Sequence, residues 1–240
     1  MCGRFIQTSS PRILAEHFDV DEVVTDDVPV PSYNVAPRAE VLTIFERDDR
    51  RRLDRMRWGL VPSWSDTVAI GDKLINARAE TLSEKPAFKA AFERRRCIIP
   101  ADGFYEWQVA PGSSKQPMYI HARNGVPIAF AGLWESWRAR DISDAPWIRS
   151  CVVITTSANA TLAPVHDRMP VILEAQDWDL WLNRDIEDHR DIEDLGPLVE
   201  LLHPAADDLL EFWPVSTRVS SARNDDASLI VREDPLRLFG

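Results

Sequence analysis

The middle of the chain constrains the fold most. Between residues 97 and 155, apolar β-type runs follow one another at turn-length spacing: Cys97 to Ile99, Phe104 to Gln108, Met118 to Ala122, Ile128 to Trp134 and Trp147 to Thr155. Runs of this length and composition read as strands, and Pro111-Gly112-Ser113-Ser114 reads as a turn between two of them. Val41 to Phe45 and Leu53 to Leu60 add two strands around a charged turn at 47–51, and Leu74 to Arg78 adds a short one. Residues 21–40, rich in Pro and Asp, read as a loop. Helices are peripheral. Ser10 caps one that Pro11 opens, with Ile13, Leu14, His17 and Phe18 on a shared face. A second spans about 86–94, with Phe88, Ala91 and Phe92 inward. The C-terminal third mixes helices near 157–163, 175–183 and 195–202 with a strand near 210–215. No linker or repeat interrupts this order. The expectation is one α+β domain over residues 1–240, mainly antiparallel β-sheet curling into a barrel-like core.

Composition narrows the function classes. Hydrophobic residues make up 45%, enough to exclude wholesale disorder. No apolar run approaches the roughly 18 residues of a membrane helix. The N-terminus lacks a signal-peptide core, so a soluble cytoplasmic chain is expected. The formal net charge of −11 opposes nucleic-acid binding unless arginines gather on one surface. Acidic residues concentrate at 19–27, 174–194 and 207–211; arginines concentrate near Arg4, Arg55, Arg57, Arg78 and Arg94 to Arg96. A basic groove on an acidic body is one arrangement that fits. The five histidines are scattered without ligand spacing, and no phosphate-cradling Gly-rich loop is present, so neither a metal nor a nucleotide cofactor is expected. Oligomeric state is not encoded legibly, and a monomer is the default.

Three cysteines without C-x-x-C spacing exclude a disulfide framework and a structural zinc site. Cys97 and Cys151 lie inside apolar runs and read as inert core thiols. Cys2 differs. Removal of Met1 would leave it with a free α-amine beside its thiol. An α-amine, with a pKa of about 7.7–8.0, is partly neutral and nucleophilic near pH 7. Such an aminothiol forms a Schiff base with an aldehyde, and the thiol then closes a thiazolidine ring. The plain alternative is a cysteine on a frayed terminus. Glu106, between Tyr105 and Trp107, is a candidate for proton transfer, or else a solvent-facing strand residue. His166 follows a Pro-Val pair in a loop and is either an acid–base group or an ordinary loop histidine.

Six segments in order carry a resemblance. They are Met1-Cys2-Gly3-Arg4-Phe5, Tyr33-Asn34-Val35-Ala36-Pro37, Arg57-Trp58-Gly59-Leu60-Val61-Pro62-Ser63-Trp64, Ile75-Asn76-Ala77-Arg78-Ala79-Glu80-Thr81, the run from Arg96 to Trp107, and His166-Asp167-Arg168-Met169-Pro170. Together they resemble the SOS-response-associated peptidase family, also called abasic-site processing proteins. The resemblance runs from residue 2 to the Asn224-Asp225 region.

It implies a covalent thiazolidine cross-link between Cys2 and the ring-opened aldehyde of an abasic site in single-stranded DNA. Such an adduct shields the lesion in an SOS-type damage response, with a lyase side activity, in a chain that is nucleoid-associated when bound to DNA. Asn76 would position the cysteine and the opened sugar. Glu106 would move protons, and His166 would assist ring opening. Arg4 and Arg78 would contact phosphates, Asn34 and Pro37 would line the DNA channel, and Trp64 and Trp107 would pack against sugar or bases. Trp58 is better read as core. Some members carry a bulky aromatic wedge directly after the tryptophan matching Trp64, where this chain has Ser65. Two other functions stay open at this point: an N-terminal-cysteine peptidase with hydrolase chemistry, using Cys2, His166 and Glu106, and a non-catalytic single-stranded-DNA-binding module.

Overall fold

In the computed structural model, residues 2–25, 30–109, 115–182 and 195–233 are described. Alternation and turn chemistry build the first hairpin. β4 (Glu40–Arg47) and β5 (Arg50–Trp58) pair in register from Glu40↔Arg57 to Arg47↔Arg50. Asp48 and Asp49 close the hairpin with φ of 54° each. Two residues in the left-handed region make the two-residue turn whose twist matches that of its strands, and Asp tolerates it.

β4 pairs with β7 (Arg96–Ala101), β7 with β10 (Ile128–Trp137), and β10 with β11 (Ile148–Ser157), all antiparallel. Parallel pairing of β11 with β5, at Ser150↔Arg57 and Cys151↔Trp58, closes these strands into a ring. Short strands extend it: β2 (Glu22–Val23) beside β5, β6 (Asn76–Arg78) and β12 (Arg168–Pro170) beside β11, and β13 (Ile172–Leu173) beside β10. A second, antiparallel sheet runs β14 (Leu210–Pro214), β9 (Gln116–Ala122), β8 (Gly103–Gln108), β1 (Arg4–Gln7), β3 (Ser32–Val35).

The period-2 pattern sorts the side chains of the ring into two cores. One face, with Phe45, Cys97, Ile99, Phe130, Cys151 and Val153, meets Phe5, Phe104 and Ile120 of the second sheet. The other, with Leu42, Ile44, Ile98, Ala131, Val152 and Ile154, is covered by helices. These are α1 (Pro11–His17), α2 (Lys89–Arg94), α3 (Trp178–Leu182) and α4 (Gly196–Glu200). Covered on both faces, β11 is buried from Ser150 to Thr156. The fold is mixed α+β and mostly antiparallel, as expected, with a closed ring of strands at its centre.

The differences from expectation have local causes. The helix expected at 157–163 is reduced to a turn, which Asn159 opens and ties down: Oδ1 accepts Leu162 N–H at 3.0 Å and Nδ2 donates to Ala205 O at 3.0 Å. The loop read over 21–40 contributes β2 and β3. The expected helix at 175–183 begins as a tight 3-10 turn, Ala175–Asp177, and becomes α3 at Trp178. The turn at 111–114 lies outside the described residues. Among the described residues, no helix is long and apolar enough to cross a membrane.

Candidate active site

Cys2 is not on a frayed end. β1, which follows it, is hydrogen-bonded on both sides: Arg4↔Tyr105 and Phe5↔Phe104 to β8, and Phe5↔Val35 to β3. The far end of β1 is fastened by Asp102. Its carboxylate accepts the Thr8 and Ser9 backbone N–H groups at 2.5 and 2.9 Å and both hydroxyls. Cys2 is fully buried, with Sγ 4.0 Å from Arg4 O. Burial, with Glu106 adding to it, pushes the thiol above the ordinary cysteine range.

Asn76 reaches this residue directly. Its Nδ2 donates to Cys2 O at 2.8 Å, while its Oδ1 is buried without a hydrogen-bond partner among the described residues. Trp58 sets the segment before it, donating from Nε1 to Ile75 O at 2.9 Å. Trp58 is wholly buried, as its core reading required. Gly59 makes the chain reversal after it. Its φ is +125°, and a Cβ there would lie 2.5 Å from Gly71 O.

Glu106 is buried, not solvent-facing. Burial raises its pKa, and His166 among nearby charges pulls it back. His166 is partly exposed, and its Nδ1 lies 2.9 Å from both the Arg168 N–H and Asp167 Oδ1. Arg168 also forks onto Glu80, with one bond at 3.0 Å, and donates to Thr155 O at 2.6 Å. This clamp joins the segment after Asn76 to the segment after His166. Both of its charges lie inside motifs read from the sequence, but their pairing was not read there.

The residues expected to meet DNA divide sharply. Asn34 is buried: Oδ1 accepts from Arg4 Nη1 at 2.9 Å, and Nδ2 donates to Val219 O, Ser221 O and Asn224 O at 3.2, 3.0 and 2.7 Å. Arg4 also donates to Val219 O at 2.9 Å and Ser220 O at 3.3 Å. Trp107 Nε1 donates to Ser220 Oγ at 3.1 Å. These three side chains hold residues 219–224 against β1, β3 and β8. Arg78 and Trp64 are exposed, and Pro37 is partly so. Ser65 is buried, its hydroxyl donating to Thr67 O at 2.8 Å, and it offers no wedge.

Two of the arginines that cluster in the sequence, Arg57 and Arg96, are already engaged within the fold. Arg57 and Arg38 both bind Asp72 at 2.6 Å. Arg96 is buried under the carbonyls of Trp181, Phe92 and Glu93 at 2.7, 3.1 and 2.7 Å.

The chain matches the SOS response associated peptidase (SRAP) family over residues 1–222. The abasic site processing protein YoqW of Bacillus subtilis is 41% identical over 230 residues, covering 96% of this chain and 99% of that one. The abasic site processing protein YedK of Escherichia coli is 33% identical, covering 96% and 99%. The abasic site processing protein HMCES of Xenopus tropicalis is 33% identical, covering 81% and 64%. A crystal structure of a protein from Bacteroides thetaiotaomicron has the same fold, with TM-score 0.82 at 22% identity over 97% of this chain and all of that one. With its relatives named for abasic-site processing and residues 1–222 matched, this chain belongs to the SOS response associated peptidase family.

Proposed function

We propose that the protein captures abasic sites in single-stranded DNA through Cys2, exposed as an N-terminal residue by loss of Met1. The observation that carries this reading is the grip of Asn76 on the Cys2 carbonyl at 2.8 Å, with the buried Glu106 carboxyl close enough to raise the thiol pKa.

The chemistry balances without a redox partner. The Cys2 amine adds to the aldehyde carbon of the opened sugar, and the carbinolamine loses one water to give a protonated Schiff base. The thiol then adds to the iminium carbon, forming a C–S bond as the C=N π pair returns to nitrogen, and the thiol proton passes to the carboxylate. A carboxyl with a raised pKa holds a proton for the departing hydroxyl and takes one back during ring closure. Glu106 fits that task. The Oδ1 of Asn76, without a hydrogen-bond partner among the described residues, offers an acceptor to a donor on the amine or the sugar. His166, partly exposed, is the group proposed to assist opening of the sugar ring. The same Schiff base permits β-elimination at the lesion as a side reaction.

Burial of the thiol argues against the peptidase reading, since a peptidase needs a thiolate at neutral pH and burial disfavours one. The test is a denaturing gel and intact mass on a single-stranded oligonucleotide carrying one abasic site. A heat-stable adduct on Cys2 that forms without borohydride supports the proposal. No adduct on protein lacking Met1 overturns it.

A further inference from the structure

Other arginines gather away from Cys2. A groove of about 760 Å³ is lined by Arg47, Arg94, Arg95, Arg149, Trp134 and Trp147, with Glu135 among them. It lies where the Arg47 end of β4 meets the β10–β11 ladder, at Glu135↔Ser150 and Ser136↔Arg149. Asn76, which holds Cys2, pairs with Val153 further along β11. The groove therefore belongs to a different stretch of the ring.

Its charge runs against the chain. Four guanidiniums and one carboxylate line it, in a protein of net charge −11. Two of the four are occupied: Arg95 binds Glu135 at 2.8 Å, and Arg149 binds Asp54 while lying 5.7 Å over the Phe45 ring. The other two face solvent. Arg47 reaches Asp48 only at 3.8 Å, and Arg94, exposed on the last turn of α2, makes no ion pair among the described residues. Between these cations stands an unusual surface residue. Trp147 is 62% exposed, and the Arg138 guanidinium lies 4.8 Å from its ring centroid. Trp134 backs the groove, packed on Phe45 at 5.2 Å. Exposed indole beside unpaired guanidinium is the pairing that takes a nucleobase on one group and its phosphate on the other.

We infer that this groove binds an unmodified stretch of single-stranded nucleic acid, its phosphates on Arg47 and Arg94 and a base on Trp147. The site does not depend on the Cys2 chemistry. An acidic peptide would use the arginines but has no need of the exposed indole, so the nucleic acid is favoured.

The experiment uses the full chain and a fluorescent oligo(dT) without an abasic site, read by anisotropy over a salt series. Trp147→Ala is expected to weaken binding about tenfold, within the range of a base-stacking residue. Arg94→Glu is expected to flatten the salt dependence by about 0.7 or more in log–log slope. Both variants should keep the wild-type Tm and the wild-type cross-linking yield on saturating abasic oligonucleotide. Unchanged oligo(dT) affinity in both variants overturns the inference. So does a poly-glutamate chain that binds the wild type more tightly than oligo(dT) and is lost in Arg94→Glu. A wild-type protein that binds oligo(dT) through the groove but forms no abasic adduct leaves this inference standing and removes the Cys2 reading instead.

Discussion

The three cysteines share one core and one degree of burial, yet their surroundings differ completely. Cys97 and Cys151 sit in the ring among Ile99, Phe130 and Val153. Cys97 is packed so closely that a Cβ on Gly132 would lie 3.0 Å from its sulfur. Burial lifts Cys97 far above the usual thiol range, and lifts Cys151 to about 12 although Thr43 hydrogen-bonds it. Burial lifts Cys2 as well. What separates Cys2 is its company: a carboxyl, an amide fixed on its carbonyl, and a place at the start of the chain. Low exposure thus marks an inert thiol and a candidate nucleophile alike, and the polar neighbours distinguish them.

Cys2→Ala is the severest test of that contrast. It is expected to abolish the heat-stable adduct on a denaturing gel, while Cys97→Ala and Cys151→Ala keep wild-type adduct yield. Adduct formation lost equally in all three would erase the distinction. Glu106→Gln comes next, with a cross-linking rate lowered by about 10²-fold or more if the carboxyl moves the proton. The pH profile sharpens this prediction. The neutral fraction of the amine rises with pH, and the protonated fraction of Glu106 falls as pH climbs through its raised pKa. The wild-type rate should therefore be bell-shaped, and the Gln variant should lose the falling limb. Stability follows the same sign. The raised folded pKa gives a contribution that is complete below the unfolded value of about 4.3 and is lost as pH rises through the folded one, so the Tm of the Gln variant should fall less over that window.

Cys151→Ala should cost about 1–2 kcal/mol in urea unfolding without a kinetic effect, the cost of a small void in a packed ring. The smallest effect is expected for Arg78→Ala. It should weaken single-strand binding a few-fold and reduce the log–log salt slope by about 0.7, one phosphate contact.

Much of this was legible in the sequence. The strands from Cys97 to Thr155 and the cap at Ser10 follow from period and turn chemistry, which are local properties. The closure of the ring was only guessed as a barrel-like curl, because the β11–β5 pairing joins residues about 90 apart in sequence and leaves no local mark. The same holds at the site. Cys2, Asn76, Glu106 and His166 were named from chemistry and resemblance. The positioning roles of Asn34, Arg4 and Trp107 were not, since their partners are main-chain carbonyls and a serine near residue 220 that carry no pattern. The resemblance puts Asn34 on the DNA channel, but its ties to residues 219–224 leave no mark in the sequence, because an Asn in a polar motif has the same appearance whether it faces solvent or ties down a strap.

That strap has a consequence for the order of events during synthesis. Arg4 donates to a carbonyl 215 residues downstream, and β1 cannot be fully enclosed before that carbonyl exists. At about 5–20 residues per second, translation alone holds the amino terminus open for roughly 10–40 s. Trimming of the first methionine, which the proposed chemistry requires, has this interval in which Cys2 is not yet buried.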